Sequence, residues 1–165
     1  INYYSNQKHT PSAILEYSVN PTKQVQIQKI SILDKNNKPS ARLLMNEKFF
    51  MEVVFEVSQK TEGAMLNFSF FSAGDMLLNS SDSDEAGKLS TYEPGHHTVK
   101  VEIPASLFNN GSYYVEVSIK RPGIEFLDHK EQIPLEILPA ATPRSALYQN
   151  QMPGKMAIPL TYYRS

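Results

Sequence analysis

Along most of the chain apolar and polar residues alternate with a period of two, the spacing of strands with one face in a core and one turned outward. In Phe49–Val57, FFMEVVFEV, the residues Phe49, Met51, Val53, Phe55 and Val57 share a face. Leu66, Phe68 and Phe70 alternate with Met65, Asn67 and Ser69, and Val99, Val101 and Ile103 with Thr98, Lys100 and Glu102. Tyr113, Val115, Val117 and Ile119 do the same against Tyr114, Glu116, Ser118 and Lys120, and Ile133, Leu135 and Ile137 close the series. Between Gln24 and Leu33 the phase reverses, from Val25 and Ile27 to Ile30 and Ile32, which predicts a bulge near Gln28–Lys29. Ala41–Met45 and Asp75–Asn79 are short edge candidates.

Turn-forming residues separate these runs at 35–39, at Ala73-Gly74-Asp75 and at Asn109-Asn110-Gly111. Only Pro104–Phe108 suggests a helical turn. Seven or eight strands at this spacing predict an all-β, Ig-like or jelly-roll antiparallel β-sandwich of about eight strands.

The ends differ from the middle. Residues 1–22 show little alternation and read as a linker or N-terminal arm, leaving 23–138 as the sandwich. The tail, 139–165, holds four prolines yet also Leu147, Tyr148, Met152, Met156, Ile158, Leu160, Tyr162 and Tyr163, more apolar surface than a disordered tail carries. Met156–Tyr163 reads as an extra C-terminal strand that needs cover, by packing back on its own sandwich or by exchange with a second copy. Phe50 and Val54, on the outward side of their strand, predict that this face too is covered.

Composition narrows the function. Hydrophobic residues at 41% and charged residues at 20% fit an ordinary globular protein of one domain in its 165 residues. Lys plus Arg number 16 against 17 acidic residues, so no basic face is expected and nucleic acid is not an expected partner. The absence of cysteine excludes disulfides, thiol nucleophiles and zinc–thiolate sites. No apolar run approaches the ~20 residues of a membrane span, and no signal-peptide pattern is present. The chain opens on Ile1 rather than Met, which leads to the expectation that it is part of a longer protein.

The obvious chemical motifs are weak. His96 and His97 are adjacent on a strand, so they face opposite ways and cannot readily share a metal; His9 and His129 lie elsewhere. Asp82-Ser83-Asp84-Glu85-Ala86-Gly87, followed by Glu93, resembles a calcium loop but has Ala86 where a ligand is needed and no flanking helices. Three Asn-x-Ser sequons begin at Asn67, Asn79 and Asn110, a pattern common by chance. There is no GxSxG elbow, no SxxK and no outstanding carboxylate pair, so no catalytic residue and no metal site is assigned. An enzyme is not expected.

What remains is a sheet face. On an Ig-like wiring, strands 65–71, 112–121 and 131–138 share a sheet whose outward side presents Asn67, Ser69, Phe71, Tyr114, Glu116, Ser118, Lys120 and Glu136. Sugars suit such a surface: aromatic planes meet their C–H faces, while amides, carboxylates and cations meet their hydroxyls. Lys120, Arg121 and Lys100 are candidates to meet a phosphate or an acidic sugar. The plainer alternative is an ordinary solvated face on a structural Ig-like interaction, adhesin or assembly domain.

The order of several segments carries a family resemblance over roughly residues 22–138. They are IQKISILDKNNKP, NEKFFMEVVFEV, LNFSFFSAGDMLLNSSD and PGHHTVKVEIPASLFNNGSYYVEVSIKRPG (Pro94–Gly123). Together they resemble the C-terminal carbohydrate-binding domain of the ATP-binding subunit of O-antigen polysaccharide ABC transporters. The chain departs from that family at Phe68-Ser69-Phe70, where a Gly is frequent, and at Tyr162 and Tyr163, where the tail often has Trp. The resemblance implies a non-catalytic module that binds O-antigen polysaccharide, plausibly through a modified non-reducing end, on the cytoplasmic side of the bacterial inner membrane. It further implies a homodimer through exchanged C-terminal strands and a membrane-spanning transporter subunit as partner. ATP would belong only to an upstream domain, since no GxxxxGK[ST] loop occurs here and no cofactor is expected in this piece.

Overall fold

A computed structural model of the chain describes residues 12–148 and 153–164. His9, Met152 and the first eleven residues of the expected arm lie outside the described residues. Ten strands form: β1 Ile14–Glu16, β2 Val25–Leu33, β3 Arg42–Leu44, β4 Phe49–Val57, β5 Thr61–Ser72, β6 Asp75–Ser81, β7 Ser90–Tyr92, β8 Gly95–Ile103, β9 Gly111–Arg121 and β10 Glu125–Leu138. They make two sheets, the first in the order β1-β2-β4-β8 and the second β3-β10-β9-β5-β6, with β7 beside β5. The expected β-sandwich is present, and of its three three-residue strands β1 and β7 are the two the sequence did not show, being too short to display a period.

The period-two alternation translates directly into packing. Ile27, Ile30, Ile32, Met51, Val53 and Phe55 of the first sheet are buried, as are Leu66, Phe68, Phe70, Val115, Val117, Ile119, Ile133, Leu135 and Ile137 of the second. The bulge expected near Gln28 lies in the register shift between Ile27 and Lys29, which lets both halves of β2 turn their isoleucines inward. β3 pairs with β10 in parallel, as a short edge. Strands 65–71, 112–121 and 131–138 do share a sheet, with β9 between β5 and β10.

A buried carboxylate ties one sheet to the other. Asp128 of β10 points inward, and its Oδ2 accepts the backbone N–H of Ile27 at 2.7 Å, at the β2 bulge. Its Oδ1 meets Lys23 Nζ at 2.6 Å and Lys130 Nζ at 3.6 Å. The Lys130 ammonium also sits 4.3 Å from the centre of the Tyr17 ring. Burial, and then the nearby Asp128 charge, push the Tyr17 phenol above its ordinary pKa.

Three local expectations change. Residues 104–108 form a hydrogen-bonded turn rather than a helical one, because Ser106 takes a φ of 60° and cannot continue a right-handed helix. The described residues contain one short helix, Pro143–Leu147, in the tail. Thr142 caps it: Thr142 Oγ1 accepts Ser145 N–H, Ser145 Oγ accepts Thr142 N–H, and Pro143 opens the first turn.

Met156–Tyr163 is not a strand. Met156 alone bridges to Phe108, while residues 158–164 have no regular structure. Pro159 has no N–H for a ladder, and no neighbouring strand runs alongside these residues in the single chain. The segment just before them is well anchored: Asn109 donates through Nδ2 to the carbonyls of Pro153 and Gly154 and through its backbone to that of Lys155. The face around Phe50 is covered too, but by cations. Lys48 and Lys100 place their ammoniums 5.6 and 4.4 Å from the ring centre.

Candidate functional site

The outer face of the second sheet sorts the sequence candidates into a floor and a rim. Asn67, Ser69 and Ser118 point away from the core yet are buried. Asn67 Nδ2 and Asn79 Nδ2 both donate to Ser69 Oγ, at 3.1 and 2.8 Å, while Asn67 Oδ1 has no partner among the described residues. These three side chains shape the floor. Glu136, at the far edge, is occupied by Arg42 at 3.1 Å.

The rim holds a pocket of about 390 Å³ lined by Phe71, Gly74, Tyr114, Glu116 and Gln132. Its size is ordinary for one small-molecule subsite. Phe71 and Tyr114 are direct cross-strand partners, and Tyr114 is 47% exposed. Just past Phe71, β5 turns into β6 through the two-residue turn Ala73-Gly74, with φ of 50° and 88°. Positive φ at both central residues is the turn that matches strand twist, and Gly74 adopts it without a side chain to close the pocket.

The other wall is a β-bulge. Ile133 faces Val115 and Lys130 faces Val117, so Glu131 and Gln132 together oppose the single residue Glu116. Gln132 carries the irregularity with a φ of 53°. That conformation costs a non-glycine residue about 1 kcal/mol or more, and it turns a polar side chain into the pocket rim. Gln132→Gly is therefore expected to raise folding stability by up to ~1 kcal/mol while weakening whatever the pocket binds. A fall in thermal stability would remove the strain from this account.

Beyond Glu116 lies a second aromatic platform. His129 stacks on Phe126 with ring centres 4.5 Å apart and planes 7° from parallel. His129 Nε2 lies 3.4 Å from Glu116 and Nδ1 lies 3.2 Å from Glu131. Lys120 sits over Phe126, 5.8 Å from the ring centre. The structure thus brings Phe71, Tyr114 and Glu116 together, buries Asn67, Ser69 and Ser118, and sets Lys120 at the opposite end. Gln132, Gly74, His129, Glu131 and Phe126 were missed by the sequence reading. Their signal was the polar pair Glu131-Gln132 interrupting the alternation just before Ile133.

The remaining motifs are spoken for. Asp82 accepts from Leu66 N–H and from the Tyr92 hydroxyl, at 3.0 and 2.6 Å, so it braces the 82–92 segment rather than facing a cation. Burial, then that carboxylate, push the Tyr92 phenol far above its usual range. Asp84 is held below the usual carboxylate range by hydrogen bonds from the Ser81 side chain and backbone. His97 stacks on Phe55 on the inner side, whereas His96 is exposed on the outer side, as alternation requires.

The fold is a β-sandwich whose second sheet carries on its outer face a pocket edged by Phe71 and Tyr114. The model of the Wzt C-terminal domain family matches residues 17–145. The chain belongs to that family, and so is a domain of an O-antigen ABC transporter. The fold is also that of a solved "Crystal structure of the C-terminal domain of wzt". The TM-score is 0.69 at 12% identity, covering 93% of this chain and 89% of that one. A weaker likeness, TM-score 0.43 and 12% identity over 70% of this chain, reaches 30% of a Pseudomonas fluorescens alkylpurine DNA glycosylase AlkC bound to DNA containing an abasic site analog, and it carries no weight. No curated protein matches the sequence significantly. None of the helices among the described residues is long and apolar enough to cross a membrane.

Proposed function

We propose that the domain is a non-catalytic module that binds O-antigen polysaccharide in the groove of the second sheet, with one sugar unit seated between Phe71 and Tyr114. The observation that carries the reading is the juxtaposition of a half-exposed Tyr114 ring, its partner Phe71 and two polar groups, Glu116 and Gln132, around one pocket. A pyranose ring offers a C–H face to the aromatics and hydroxyls to the carboxylate and the amide. The module acts by tethering: holding the glycan beside the transporter raises its effective concentration at the entrance. Each hydrogen bond exchanged with water contributes only ~1 kcal/mol, so a single site is weak and rapid release is built in. The reading calls for no cofactor in this domain. It places the module on the cytoplasmic side of the inner membrane, next to the membrane-spanning subunit and downstream of an ATPase domain.

A second copy of the chain is the proposed partner of the tail. Ile158, Leu160, Tyr162 and Tyr163 are between half and nine-tenths exposed in the single chain, an apolar surface that a homodimer would cover.

The test is a calorimetric titration with the O-polysaccharide of the source strain, intact and stripped of its terminal modification, with light scattering on the same samples. Saturable binding to the intact chain is expected, and its loss on stripping would identify the end of the chain as the ligand. Equal binding to both would identify an internal repeat unit. Binding to neither by a folded dimer would leave the structural-domain alternative in possession.

A further inference from the structure

We infer that the Phe71–Tyr114 pocket takes an uncharged sugar unit and discriminates against anionic ones, phosphate esters and uronates alike. The inference rests on the glycan reading above and names the class of sugar that the site accepts. Of the five lining residues Glu116 is the one carboxylate, and none is Lys, Arg or His. A second carboxylate stands behind it: Glu116, His129 and Glu131 offer ligand atoms that all lie within 4.8 Å of one another. Among the described residues, the ion-pair partner of both carboxylates is His129.

The cations that the sequence offered for an acidic sugar are used elsewhere. Arg121 is paired with Glu125 and donates to the Glu62 carbonyl at 3.2 Å. Lys100 belongs to the outer face of the other sheet, where it covers Phe50 and bonds Asn37. Lys120 lies over Phe126, beyond His129 from the pocket. An anionic substituent seated between Phe71 and Tyr114 therefore meets one carboxylate in the wall and another behind it, in a concave site that screens charge less than open water. A neutral hydroxyl in the same place donates to Glu116 and gains a charge-assisted bond. Repulsion at such separations and intermediate dielectric is worth about tenfold in affinity.

The test uses a glycan array carrying neutral oligosaccharides beside phosphorylated and uronate-bearing counterparts of the same backbone, probed at pH 8, above the usual imidazole range. Matched pairs that give signal are then titrated. The neutral member is expected to bind about tenfold more tightly. Glu131→Gln, which changes none of the five lining residues, should cut that difference to below about threefold. At 1 M salt, where charges are screened within about 3 Å, the difference should shrink likewise. Equal or tighter binding of the anionic member overturns the inference, as does a preference that survives both Glu131→Gln and high salt. Silence across the whole array instead sinks the glycan reading, and this inference falls with it.

Discussion

Asp128→Ala is expected to lower folding stability by about 3 kcal/mol, the largest effect of any single polar substitution described above. The deletion orphans the Ile27 N–H, which is fully buried at the β2 bulge, and an unpaired buried donor costs about 1–3 kcal/mol. It also strips Lys23 and Lys130 of their shared carboxylate. Lys23 is partly exposed and recovers some hydration, which holds the total near the lower end of the ~3–5 kcal/mol typical of a broken buried pair. Asp128→Asn, which keeps an acceptor for Ile27 but no charge, should cost about half as much. Urea unfolding followed by circular dichroism measures both. A loss below ~1 kcal/mol for Asp128→Ala would show that Asp128 is not what joins the sheets.

The second large effect concerns binding. Tyr114→Ala should weaken glycan binding by about 2 kcal/mol, roughly thirtyfold, since aromatic anchors dominate such contacts. Its ring is half exposed, so stability should move by no more than ~0.5 kcal/mol. Tyr114→Phe keeps the stacking plane and should retain affinity within about fivefold. Titration and thermal melting of the same preparations separate the two effects. Undiminished affinity in Tyr114→Ala with an unchanged fold would move the glycan to another part of the face.

The two predictions draw on parts of the molecule that were unequally visible in the sequence. Strand identity and facing were legible because a half-buried strand imposes a strict period of two, and the shared sheet of 65–71, 112–121 and 131–138 followed from an Ig-like wiring. Phe71, Tyr114 and Glu116 were legible for the same reason, as outward positions on those strands. Alternation gives direction but not height, however. Asn67, Ser69 and Ser118 point outward and are nonetheless buried, because short side chains on a twisted sheet lie beneath their neighbours. Gln132 and Glu131 were invisible because a bulge breaks the rule on which the reading relied. Asp128 stayed hidden because an inward-facing acid contradicts an apolar pattern, and its justification, the unpaired amide at Ile27, lies 101 residues away. The tail looked like a strand on composition alone, but a strand needs an edge to pair with.

β10 is the last strand of the sandwich to leave a ribosome, and it closes everything. It ladders with β9, receives β3 at Arg42 and Glu136, 94 positions apart in the chain, and delivers Asp128 to Ile27. Contacts between such distant partners form slowly, because the loop entropy must be met before any of them rewards it. During synthesis β9 and β3 thus lack their β10 partner, and Ile27 its Asp128, until Glu125–Leu138 emerges. A chain cut before Glu125 is expected to lose the partner of β9 and of β3 together with Asp128, and so to expose apolar surface. Synthesis of β10 is therefore the step expected to complete the core.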